Sequence, residues 1–266
     1  PGRSAHVTPF ARNLLFGAGI PLLVGIVWMA DRKGAFRRDA FPTPLRKRLA
    51  LGLLLLLLVA TTLLPAAAGG RPPDVSTLKI TQVFLVQGIL AVFLASWWLL
   101  AGRPPLKTFL ALESRQPGPE AAAGVALGLI GWTLTIVVAV VAAVLLSLFD
   151  VHQQRAIPPL VGWLAGRPGL ERLLIVISAM TLEEFHFRAF LQRRLGAVPA
   201  SILFLLAHAG YGEPFFFVGL LAITSVLAIA FHRTGSVVAP MLAHGTFDAV
   251  QLFIFLPAAL KFLQGS

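Results

Sequence analysis

The chain has 266 residues, of which 57% are apolar and only 12% charged, and it contains no cysteine. That balance leaves too little polar surface for a water-soluble fold, so lipid is the solvent for most of the chain, and a thiol nucleophile, a thiolate metal site and disulfides are all excluded. The net charge of +11 sits between apolar blocks and forms no stripe interleaved with aromatics, which argues for membrane-flanking loops and against a nucleic-acid partner.

The apolar blocks are separated by charged or Pro/Gly-rich breaks, and a run of roughly 18 apolar residues suffices to cross a hydrocarbon core about 30 Å thick. The expected fold class is therefore all-α, a polytopic bundle of about eight transmembrane helices, over 10–30, 49–68, 80–101, 121–149, 171–194, 198–210, 214–232 and 236–258. Pro65, Pro199, Pro240 and Pro257 fall near ends or first turns. The first run follows Arg12 and is read as a retained span, not as a cleaved signal. The sixth is too short to cross unless it tilts or continues irregularly. No soluble second domain is expected: 1–266 is one integral membrane domain, with 1–150 a four-helix scaffold half and 171–258 the part that carries chemistry.

Lys and Arg set the expected orientation, because short cytoplasmic loops carry their excess. The connection after the first helix holds Arg32, Lys33, Arg37, Arg38, Arg46, Lys47 and Arg48. Placing it in the cytoplasm puts Arg103, Lys107, Arg115, Arg193, Arg194 and Arg233 there too. The opposite side holds Arg3, Arg12, Arg71, Lys79, Arg155, Arg167, Arg172 and Lys261. The protein is thus expected as a multi-pass component of the inner (cytoplasmic) membrane.

Ionisable groups inside a bilayer cost roughly 2.5–3.5 kcal/mol each on insertion scales, so they face a protein interior or a wet cavity and mark function by default. Most acidic residues lie in loops or at helix ends, among them Asp31, Asp39, Asp74, Asp150, Glu113, Glu120, Glu171 and Glu213. Glu183, Glu184 and Asp248 do not. Arg188, His186, His208 and His244 likewise lie inside expected helices. Glu184 and Arg188 are spaced i, i+4 and can pair on one helix face, as can His244 and Asp248; His208 follows Phe204 at the same interval. Counted from the nearest basic turn, Glu184, His208 and His244 all lie about 12–15 Å deep.

Each feature alone has a plain structural reading. Glu184 with Arg188 serves equally well as an ion pair locking two helices, and a single buried His as polar glue between them. A second carboxylate at Glu183 and the shared depth favour a site. His186 lies on another face and reads as structural. His232 and Arg233 snorkel at a surface, Gly124-Val-Ala-Leu-Gly128 suits close helix packing, and Trp97, Trp98, Trp132 and Trp163 fit interfacial or packing positions.

Glu183-Glu184-Phe-His-Phe-Arg188, Phe204-Leu-Leu-Ala-His208 and His244-Gly-Thr-Phe-Asp248, in this order and on separate helices, resemble the EExxxR, FxxxH and HxxxN/D motifs of the CAAX protease and bacteriocin-processing (Abi) family of glutamate-type intramembrane endopeptidases. Gly235-Ser-Val-Val-Ala-Pro-Met-Leu-Ala-His244 also resembles that family's approach to its last motif. The resemblance covers roughly 178–255.

It implies hydrolysis of a peptide bond in a membrane-tethered protein or peptide near the cytoplasmic leaflet. Glu183 would be the base that activates water, assisted by His208. Glu184 and Arg188 would form a supporting ion pair, and His244 and Asp248 would stabilise or position the intermediate, with Phe204 in support. Spacing alone allows either glutamate to face the cavity. Asp248 stands where the endopeptidases that process Ras-type proteins carry Asn; an Asp donates a hydrogen bond only when protonated, so orienting His244 is its other role.

No cofactor is implied, although His208, His244 and Glu183 are a possible zinc set. The expected partners are membrane lipid and the tethered substrate, with no nucleic acid. HExxH, GxGD and GxSG signatures are absent. The rival from another class is a non-hydrolytic membrane protein (an immunity factor, a scaffold or a proton-coupled transporter) that uses the same buried charges for binding or relay.

Overall fold

The computed structural model describes residues 9–67, 74–148, 159–209 and 214–265. Arg3, Arg71, Asp150, Arg155 and Glu213, with the expected helix ends at 68, 149 and 210, lie outside the described residues. Among those described, the chain is all helix and turn, with no strand.

Helical segments stand at all eight expected places. They are α1 (Pro9–Arg32), α2 (Pro44–Leu58, continuing through a π-helical turn, Val59–Leu63, into Leu64–Ala67), α3 (Ile80–Leu100) and α4 (Pro117–Ser147). In the second half, α5 starts as Gly169–Ser178, widens into π-helix over Ala179–Glu183 and Phe185–Gln192, and closes with Arg193–Leu195. Then come α6 (Ala197–Ala207), α7 (Pro214–Thr234) and α8 (Val238–Ala249, π-helical Val250–Phe255, Leu256–Gly265). Two short helices, Leu106–Phe109 and Pro159–Ala165, were not expected.

Five helices among the described residues are long and apolar enough to cross a membrane, namely α1, α3, α4, α7 and α8. The other three depart from simple spans. A π-turn interrupts α2, and α5 carries Glu171, Arg172, Glu183, Glu184 and Arg188 along its length. With 11 residues, α6 reaches about 16 Å, half of a hydrocarbon core.

The four basic connections pack together at one end of the bundle, as the charge count requires. Arg194 Nε donates to Asp39 at 2.9 Å, Arg193 Nη1 donates to the Thr108 carbonyl at 2.6 Å, and the Val237 amide donates to the Ala111 carbonyl at 2.9 Å. Gly196 (φ 91°) and Gly235 (φ 68°) turn the chain from α5 into α6 and from α7 into α8; their left-handed backbone is costly for any residue with a Cβ. Beneath this end lies the main core. Trp97 is fully buried and meets the rings of Phe36, Phe41, Phe93 and Phe190 at 4.7–5.9 Å, while the Arg194 guanidinium sits 4.1 Å over Phe190. Trp97 is thus a core residue, and Trp98 anchors its connection by donating to the Pro104 carbonyl at 2.7 Å.

Glycines allow α4 to lie directly against α7 and α8. A Cβ on Gly124 would stand 2.6 Å from the Ala239 carbonyl oxygen, and one on Gly128 2.5 Å from that of Ala243. The Gly124–Gly128 pair therefore does tighten helix packing. Because Ala243 precedes His244, this contact holds the backbone that presents the last motif.

Candidate active site

The three motifs converge within the bundle. Glu183 and Glu184 are adjacent in sequence but have different surroundings. Glu184 is fully buried, accepts from Arg188 Nε at 3.2 Å through Oε2, and stands 2.9 Å from His244 Nδ1 through Oε1. A carboxylate only accepts, so His244 Nδ1 carries the hydrogen of that bond. The Glu183 side chain is 13% exposed and lines a cavity of about 280 Å³. The choice that spacing left open is resolved in geometry: Glu183 faces the cavity and Glu184 lies behind it.

The local helix explains how neighbours can divide in this way. Two π-helical stretches flank Glu184, and π-bulges re-aim side chains that a regular α-helix would keep in register; they are frequent at functional sites.

Arg188 is held from three sides. Besides Glu184, Nη2 donates to Thr224 Oγ1 at 2.8 Å and Nη1 to Gln192 Oε1 at 3.4 Å, and Gln192 Nε2 in turn donates to the Ala228 carbonyl at 2.8 Å. The guanidinium also lies 5.5 Å from the Phe204 ring centre. This network satisfies a buried charge that would otherwise be costly, and it pins α5 to α7.

His208 closes α6 at the level of the glutamates. Its Nδ1 is 2.8 Å from the Phe204 carbonyl, which can only accept, so this nitrogen bears hydrogen and Nε2 is the one turned to Glu183, 4.0 Å from Oε2. Phe204 packs its ring 4.6 Å from that of His208 and 6.2 Å from that of His244, so it is the wedge that spaces the two imidazoles. His244 Nε2 is 3.4 Å from Asp248 Oδ2. That ring therefore lies between two carboxylates, with Asp248 at the cavity wall.

Sequence reasoning missed Gln87 of α3. It is buried, its Nε2 donates to Glu183 Oε1 at 2.8 Å, and its Oε1 has no partner. An amide carries no charge, and its place in mid-span is the sequence signal that marks it. Thr224, Gln192 and Gln251, which accepts from Trp132 Nε1 at 3.0 Å, escaped for the same reason. The first half of the chain is consequently more than scaffold, since α3 supplies a polar contact to Glu183 and α4 supplies Thr135 and Ala139 to the cavity wall. His186 takes no part: it is buried among Phe93, Phe187 and Phe190, as its position on another face suggests.

The zinc set of His208, His244 and Glu183 is not assembled. Both nitrogens of His244 are turned to Glu184 and Asp248, and among the described residues no three His, Asp or Glu side chains converge on a point where an ion would sit.

Comparison with known proteins agrees with the motif region. Residues 167–250 match the family model described as type II CAAX prenyl endopeptidase Rce1-like. This stretch runs from the start of α5 to the π-turn of α8 and contains all three motifs. No curated protein and no solved structure gives a significant match to the chain.

Proposed function

We propose, from the premise that residues 167–250 are an Rce1-like, CAAX-protease-type segment, that the protein is an intramembrane endopeptidase acting on a membrane-tethered protein or peptide. The observation that carries this reading is the separation of the two glutamates. One is locked in an internal network and the other, held at only one oxygen by Gln87, turns its second oxygen toward His208 across 4.0 Å. A water bound between Glu183 Oε2 and His208 Nε2 donates to both and keeps its lone pair for attack.

The reaction then needs no covalent enzyme intermediate. Water oxygen bonds to the scissile carbonyl carbon as its proton passes to Glu183. Charge develops on the carbonyl oxygen, where a proton shared by His244 and Asp248 serves as the donor. Collapse breaks the C–N bond, and Glu183 returns its proton to the departing amine. Glu184 and Arg188 keep His244 and α5 in place without touching substrate. The helix positions put the set about 9–18 Å from the basic end of the bundle, and the charge bias assigns that end to the cytoplasm of a cell with the protein in its inner membrane.

The test is cleavage of candidate membrane-tethered tails, prenylated and unprenylated, by the purified protein. Glu183→Ala, His208→Ala and His244→Ala should each abolish it while the proteins still insert and accumulate; Glu184→Ala should abolish it too, with accumulation lowered because Arg188 loses its buried partner. Full activity in the two glutamate variants would overturn the proposal and favour a non-hydrolytic binding or relay role. Activity should also survive thorough demetallation; loss restored by zinc alone would overturn the metal-free mechanism.

A further inference from the structure

The cavity beside Glu183 has a direction. Most of its lining lies away from the basic end of the bundle, with Leu227 of α7 and His244 of α8 the parts nearer that end. On α3 the lining residues are Val83 and Gln87, near the start of a helix whose basic end is Leu100; on α4 they are Thr135 and Ala139, far from Pro117. On α5 they include Ile175 and Ala179, upstream of Glu183, and on α8 they extend past Asp248 to Leu256. The short helix Pro159–Ala165, which joins the opposite end of the bundle, adds Leu160 and Leu164. No residue of the four interlocked basic connections borders it.

Two features explain this asymmetry. At the basic end, the tie between Arg194 and Asp39 and the Trp97 core fill the space above the site. At the other end, among the described residues, α6 stops at Ala207, about 16 Å from its start and short of a full crossing.

We infer that the substrate reaches Glu183 through this cavity from the face opposite the basic loops, as an apolar segment lying along the walls of α3, α5 and α8. The identity of the traveller rests on the hydrolytic reading; the route does not. The unpartnered Gln87 Oε1 is the acceptor available there to a peptide N–H, since a buried amide oxygen without a partner otherwise costs stability. Where the basic loops lie in the cytoplasm, as their charge directs, the mouth faces the outer side.

The absence of native cysteine makes the route directly measurable. Single-cysteine variants Leu164→Cys, Ala139→Cys and Ala179→Cys report the cavity, and Arg115→Cys, at an exposed position, reports the basic face. Each is treated with a charged, membrane-impermeant methanethiosulfonate in intact cells and in inverted membrane vesicles, with the cysteine-free parent as control. The cavity cysteines should react at least about tenfold faster from the side on which Arg115→Cys is unreactive, because the charged probe does not cross hydrocarbon. Reaction from the same side as Arg115→Cys, or reaction of none of the three from either side, would overturn the route. Labelling requires no turnover, so this result stands apart from whether the protein cleaves anything.

Discussion

At the residue scale, the chemistry depends on treating Glu183 and Glu184 as different groups. Glu183→Gln keeps the size and the contact with Gln87 but removes the proposed base, and should lower cleavage by about 10²–10⁴-fold with normal accumulation. Arg188→Leu acts elsewhere: it leaves the buried Glu184 with His244 as its remaining partner and should cost about 3–5 kcal/mol of stability, seen as poor accumulation and early thermal unfolding in detergent. Gln87→Leu releases one oxygen of Glu183 from a hydrogen bond to a charged group, which is worth about 1.5–3 kcal/mol. If Gln87 positions the base, kcat falls by roughly tenfold or more with KM little changed; a raised KM at constant kcat would instead assign it to binding substrate. The motif residues were legible from the sequence because ionisable groups in a bilayer demand a reason. Gln87 was not, because an amide carries no charge and its partner lies 96 positions away.

At the element scale, the site depends on three departures from regular spanning helix. The π-helical stretches of α5 divide the glutamates, the early stop of α6 sets His208 at their depth, and the glycines of α4 let α8 approach. Apolar runs between charged or Pro/Gly-rich breaks located all eight segments, yet the assignment of helix faces assumes 100° per residue and so could not say which glutamate a widened helix would turn to the cavity. The stop of α6 was legible as shortness, while the cavity that His208 borders follows only from packing. Gly128→Leu tests the helix contact. A side chain there meets the Ala243 carbonyl and Thr246, pushes α8 away and should reduce activity at least about tenfold, as misplacement by 1 Å can cost about 10²-fold. Gly25→Leu, at a position with nothing within 4 Å, should leave activity unchanged. Equal activity in both would mean that α4 does not hold His244 in place.

At the scale of the whole molecule, charge, packing and cavity together describe a polar bundle with two unlike ends. The basic connections, grouped by counting Lys and Arg, are also joined to one another by Arg194, Arg193 and Val237, so this much of the architecture was readable from charge. The direction of the cavity was not, since it arises from which halves of α3, α4, α5 and α8 stay unfilled. Hydrolysis inside the membrane by Glu183 is the central claim. Its most direct test is a comparison of membrane proteomes, with peptide termini identified by mass spectrometry, from cells expressing the wild-type chain or Glu183→Gln at equal level. The account predicts at least one membrane protein or peptide whose new terminus appears with the wild type, disappears with Glu183→Gln, and is regenerated when the intact form is incubated with purified wild-type protein. Identical termini in the two membranes, or a terminus that forms equally well with Glu183→Gln, would contradict it.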